Sequence, residues 1–207
     1  MMLSSITPDQ LKEILPSMHV ALGDWPGAQN AFRKIAASLC RAPHLKADLM
    51  AGHADAVSLC DQLGIPIIDG RPEDGFSWNG KEVAIQTETA VLLHEIAHWQ
   101  ICPLARRGVP DFGLGAGPET GLKAEANAAA IVDAATQERE EDLASLLGVL
   151  WEAYLGGPAI IAFCEQNWLE LYDRPGTVAH FVSVYEDLYS RELIDRKGGP
   201  TIALNVV

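Results

Sequence analysis

Five consecutive residues, His94-Glu95-Ile96-Ala97-His98, carry the strongest chemical signal in the sequence. On a helix, residues four apart are offset by about 40°, so both imidazoles project from one face and can share a single metal ion. Glu95 lies about 100° round from His94 and can address a metal-bound water rather than the metal. Leu92, Ile96 and Trp99 form an apolar stripe on the other side, so such a helix is buried on both faces. Two imidazoles leave an ion short of ligands, and a third protein donor is required. Glu125 is the leading candidate, because Ala128, Ala129 and Val132 on its face would let its helix lie close to the histidines. Glu119, at the expected start of the same helix, is the alternative, although a carboxylate there also complements the helix dipole.

The remaining residues with chemical potential read more plainly. His19, His44, His53 and His180 are expected as surface or core histidines, with His180 on a C-terminal helix that could close over the site. The acidic run Glu138, Glu140, Glu141, Asp142 reads as a solvated helix face or helix start. Arg106 to Pro118, with four glycines and two prolines, is a long irregular connection of the kind that is often functional. Arg106 and Arg107 would either clamp carboxylates such as Asp111 or contact an acidic substrate, and the glycines would let the loop act as a lid.

These groups need a scaffold. Thr7 or Asp9 can cap a helix through Leu11, Ile14 and Leu15 that Pro16 would stop; further helices are expected over 29–40 and 54–63. Ile65 to Asp69 reads as a strand, and 76–86 as a hairpin about Asn79-Gly80. Helices then follow at 89–101, 119–137, 138–155, 158–172 and 177–193. The expected fold is α+β and mostly helical, a single domain over 1–207. It comprises an N-terminal helical part (1–75), the hairpin and metal-site helices (76–137) and C-terminal helices (138–207).

With 48% hydrophobic and 21% charged residues over 207 positions, the chain can bury a core without disulfides, and its four scattered cysteines form no C-x-x-C pair. A net charge of −13 lacks the basic footprint of a nucleic-acid binder, and no apolar run is long enough to span a bilayer. A soluble cytoplasmic protein with no nucleic-acid or membrane partner is the expectation.

The stretch Leu93 to Gly113, L-H-E-I-A-H-W-Q-I-C-P-L-A-R-R-G-V-P-D-F-G, resembles the core of the bacterial elongation factor P hydroxylases, through H-E-I-A-H-W, Ala105-Arg106-Arg107 and Asp111-Phe112-Gly113. The resemblance implies a zincin-like, metalloprotease-type scaffold holding iron, and oxygen-dependent hydroxylation of a modified lysine on elongation factor P. Carried over, His94, His98 and Glu125 would be the ligands, with Glu95 beside the open positions. Leu114-Gly115-Ala116-Gly117 stands where the family carries aromatic residues, which implies a different substrate pocket, open to another protein or a small amino-acid-like substrate. Glu125-Ala126-Asn127 near the H-E-x-x-H helix is also similar to small intracellular peptidases that cleave repressors.

Two imidazoles and a carboxylate with open positions suit catalytic zinc, and the same set suits non-heme Fe(II). The residues around the ligands favour the iron hydroxylase, with a zinc peptidase as the alternative, for which Glu82 to Gln86 would offer a strand edge to an extended peptide. A non-catalytic acidic adaptor with a structural metal is the third reading, and it needs a fourth protein ligand.

Overall fold

The computed structural model describes residues 6–43, 46–170, 172 and 174–204. Helix α1 (Pro8–Ala21) opens on a capping box in which the Thr7 side chain accepts from Gln10 N and the Gln10 side chain accepts from Thr7 N. Pro16 does not stop it. Its ring removes one backbone donor on the exposed side of the helix, so the carbonyl it would have bonded faces solvent, while Leu11, Ile14 and Met18 keep the buried stripe continuous. Helix α2 (Pro26–Ala37) buries Ala28, Ala31, Phe32 and Ile35 and tightens into a 3₁₀ turn over Ser38–Arg41. Helix α3 (His53–Gln62) leads into strand β1 (Ile67–Ile68).

The β structure differs from expectation. Strand β2 (Val83–Ala84) pairs in parallel with β1, Ile67 opposite Val83 and Ile68 opposite Ala84, to form a two-stranded sheet. The expected hairpin survives only as an antiparallel bridge between Trp78 and Val83. Its turn is closed by the Asn79 side chain, which accepts from Lys81 N and Glu82 N, and by Gly80 at φ 88°. β2 is therefore flanked on both sides, and Glu82 to Gln86 is not a free edge. The segment is too short and too well flanked for the strand edge the peptidase reading needs.

Helix α4 (Thr89–Ile101) matches its expected bounds and runs through the interior, burying Leu92, Leu93, Ile96, Ala97 and Ile101. The single helix expected over 119–137 is instead a short α5 (Lys123–Ala128), an irregular link, and the start of α6 (Ala134–Leu155). The cause is Asp133, whose side chain accepts from Thr136 N and caps a new helix. Helices α7 (Ile160–Glu165) and α8 (Pro175–Ser190) complete the order, both shorter than expected.

α6 lies along α4, and this pair is the spine of the fold. Buried Gln100 on α4 donates from Nε2 to the carbonyls of Thr201 and Ala203 and accepts from Trp151 Nε1 on α6, tying the C-terminal segment to both helices. Phe32, Phe163, Trp168 and Phe181 pack around one another at ring separations near 6 Å and join α2, α7 and α8. The fold is mostly helical with a small sheet. Among the described residues, no helix is long and apolar enough to cross a membrane.

Candidate metal centre

The four-residue spacing on α4 places His94 and His98 side by side, with their Nε2 atoms 2.9 Å apart. The third donor comes from α6. Glu141 Oε2 lies 3.3 Å from His94 Nε2 and 3.5 Å from His98 Nε2. Among the described residues these three form the one group with metal-ligand geometry. Their mutual separations fit an ion: a point about 2.1 Å from all three atoms exists just off their plane, a bond length ordinary for nitrogen and carboxylate ligands. Two imidazoles and one carboxylate suit zinc or ferrous iron equally, with coordination positions left open.

Glu125 does not take part. It is exposed in the first turn of α5, and because the helix is interrupted over 129–133 before α6 begins, α5 does not run alongside the histidines. The third donor of the candidate group comes instead from the acidic run expected to be solvated. Glu119, the alternative, is half-buried in the wall of the cavity beside the histidines but outside the three-donor group.

Glu141 reaches the site because α6 crosses α4 closely. Gly148, two turns beyond Glu141 on the same face, sits so near α4 that a Cβ there would stand 3.1 Å from both His94 Cα and His94 N. Buried Ala144 lies on the same side of α6. Larger side chains would hold the helices apart. Gly148→Val should therefore weaken metal affinity by about tenfold and cost roughly 1–3 kcal/mol of stability. Metal titration and thermal unfolding of the same variant check both effects, and an unchanged affinity would show that the crossing does not set the donor geometry.

The electrostatics follow from burial and from the donors themselves. Burial and the neighbouring His98 hold His94 below the usual histidine range. Burial also disfavours charge on His98, but the facing Glu141 carboxylate outweighs it and raises His98. Partial burial works against the charge on Glu141, but the two imidazoles outweigh it and hold the carboxyl far below the usual carboxylate range. Burial pushes Glu95 up to about 8, with Asp111, Glu141 and Glu119 adding to the rise and His98 opposing it.

Glu95, Asp111 and Glu119 share with the three donors a cavity of about 30 Å³ roofed by the chain from Leu114 to Thr120. A larger groove of about 700 Å³, lined by Glu73, Glu88 and Val91 among others, lies on the far side of Glu119, which borders both spaces. Asp111 is buried, accepts from Trp78 N (3.3 Å) and Thr120 Oγ1 (3.1 Å), and is raised by burial. Arg106 donates to the Phe112 carbonyl at 2.9 Å and pairs with Glu140, so the clamp closes on Glu140 and not on Asp111. Arg107 lies over the Trp99 ring at 4.6 Å and is buried, which withdraws it from any substrate. Of the loop expected as a lid, 111–115 is packed and buried, while Gly108 and Pro118 are exposed.

The other histidines stay apart from this group. His53 Nε2 lies 2.9 Å from the Ile85 carbonyl oxygen, and His180 stacks on Trp168 beside Asp142. His19 is half-buried on α1, and His44 lies outside the described residues. Two signals in the sequence point to Glu141: the Asp133–Thr136 cap that restarts the helix, and the seven-residue spacing from Glu141 to Gly148 that puts the carboxylate on the helix's close-approach face. Comparison with protein-family models, with curated proteins and with solved structures finds no match to this chain.

Proposed function

We propose that this chain is a metal-dependent, oxygen-using hydroxylase in which His94, His98 and Glu141 hold a non-heme iron, and that it acts on a lysine-derived side chain of a protein. Elongation factor P is the first substrate to try, on the strength of the sequence resemblance. The observation that carries the reading is the small cavity onto which the three donors open. Its volume of about 30 Å³ admits a ligand the size of water or dioxygen, whereas a peptidase needs an open cleft with a free strand edge beside the metal, and β2 is flanked on both sides.

When bound, the iron would supply dioxygen chemistry, in which one oxygen atom enters a C–H bond and the other leaves as water with two electrons from an external reductant and two protons. The protein's part is orientation. α4 and α6 would fix the donors on one side, the Leu114–Thr120 segment walls the small cavity on the other, and Glu119 borders both that cavity and the larger groove from which a side chain could approach. Glu95, whose carboxyl burial pushes up to about 8, lines the cavity beside the three donors, where it could exchange a hydrogen bond with a bound ligand.

The zinc peptidase is the second reading, favoured by the place of Glu95 in the cavity wall next to the histidine pair. A structural ion would call for a fourth protein donor, and the group among the described residues has three. Glu95→Gln separates the enzymatic readings. In a hydroxylase it keeps metal content and measurable oxygen uptake. In a peptidase it removes the general base, with a loss of about 10²–10⁴-fold. Oxygen consumption by the iron-loaded chain, with a 16 Da gain on a lysine-containing protein, is the expected result; zinc-dependent cleavage of that protein without oxygen uptake would overturn it.

A further inference from the structure

Metal-bound histidines ordinarily donate their second ring nitrogen to a carboxylate or carbonyl, which fixes the ring plane. Here the Nδ1 atoms of His94 and His98 are both buried, and neither has a hydrogen-bond partner among the described residues. The His98 ring meets the His94 ring edge-on at 4.5 Å, and on it stacks Phe112, at a centroid distance of 5.7 Å and an interplanar angle of 27°. Phe112 is itself stacked on Trp78 at 5.3 Å and 4°, and Trp78 meets Trp99 at 5.1 Å.

The backbone holding Phe112 is strained. Asp111 at φ 42° and Phe112 at φ 53° are both left-handed, a conformation that costs a non-glycine residue about 1–2 kcal/mol. The surroundings impose it from both ends. Asp111 N donates to the Trp78 carbonyl at 2.8 Å, and the Asp111 side chain accepts from Trp78 N and Thr120 Oγ1. The Trp78 indole donates to the Arg107 carbonyl at 2.8 Å. The Phe112 carbonyl accepts from Arg106, whose other arm pairs with Glu140, the residue before the third donor.

We propose that Phe112 is a positioning residue of the metal centre: its ring, stacked on His98, sets the imidazole plane that a hydrogen bond to Nδ1 would otherwise set, and Arg106 couples that ring to the helix carrying Glu141. The inference rests on the metal-centre reading. It assigns a purpose to the strained turn that simple core filling does not, since a right-handed turn with any apolar side chain would fill the same space. A ring is required because an aliphatic side chain there can swivel, whereas two stacked planes resist rotation.

The test uses the full chain loaded with cobalt(II), whose visible d–d bands report ligand geometry and whose affinity is read by competition with a chelator. Phe112→Leu should weaken cobalt binding by about tenfold or more, as loss of an outer-shell partner does, and shift the bands. Phe112→Tyr, which keeps the ring, should restore both towards wild type. Phe112→Met fills the volume with a flexible chain and serves if the leucine variant fails to fold, and it should behave as the leucine variant does. Wild-type spectra and affinity in folded Phe112→Leu or Phe112→Met would overturn the positioning role and leave the metal centre standing. Failure of the wild-type chain to bind cobalt would overturn the metal centre itself, and the inference with it.

Discussion

Replacing Glu141 by Gln is expected to abolish metal binding at the His94–His98 pair, while Glu125→Gln leaves it unchanged. Glu141 supplies the charged donor 3.3 and 3.5 Å from the two imidazole nitrogens, and without it two neutral rings must hold a divalent cation in a partly buried site. The loss should exceed about 100-fold, the upper end of what removing an outer-shell partner costs. Glu125, exposed on α5, has no route to the ion. Isothermal titration with zinc and metal analysis of both purified variants decide the matter. Equal loss in the two, or loss only in Glu125→Gln, would remove Glu141 from the ligand set.

The second large effect is on stability and lies away from the metal. Glu152 on α6 is 3% exposed, its Oε2 has no partner among the described residues, and burial, with Glu165 and Glu88 nearby, pushes its pKa up to about 7. A raised carboxyl pKa means that the folded state holds its proton more tightly than the unfolded chain. Stability from this group is therefore complete below the unfolded value near 4.5 and is lost as pH rises through about 7. Above pH 8 the loss approaches roughly 3 kcal/mol, at 1.36 kcal/mol per unit. Glu152→Gln should thus be nearly neutral at pH 4 and stabilising by a few kcal/mol at pH 8. Denaturant titrations of both proteins at the two pH values check this, and a pH-independent difference would show that Glu152 stays neutral or finds a partner.

The parts of the centre legible in the sequence are those fixed by local rules. The four-residue histidine spacing and the uninterrupted apolar pattern of 89–101 need only helix geometry, and α4 follows them. Glu141 was hidden because its role depends on where α6 begins and how closely it crosses α4. The capping side chain of Asp133 decides the first, and the missing side chain of Gly148 the second. Reading 119–137 as one helix made Glu125 look like the residue facing the histidines. The hairpin was misjudged for a similar reason: Asn79-Gly80 does make a turn, but the partner of Val83 and Ala84 is β1, a long-range pairing that a turn signal does not encode. Arg106 and Arg107, which the sequence left open between a carboxylate clamp and a substrate contact, pack against Glu140 and Trp99, and Asp111 and Phe112 are buried beside the histidine helix.

The ligand set has a topological consequence. His94 and Glu141 are separated by 47 residues, so an ion bound between them closes a long covalent loop much as a disulfide would. By the chain-entropy relation for cross-links, closing a loop of that length removes about 4 kcal/mol of freedom from an unfolded chain that keeps the ion. The four cysteines are all free thiols, so the chain has no covalent staple of its own. Chelation would then do to this protein what reduction does to a small secreted one, freeing the α4-to-α6 loop to open before the rest of the helices come apart.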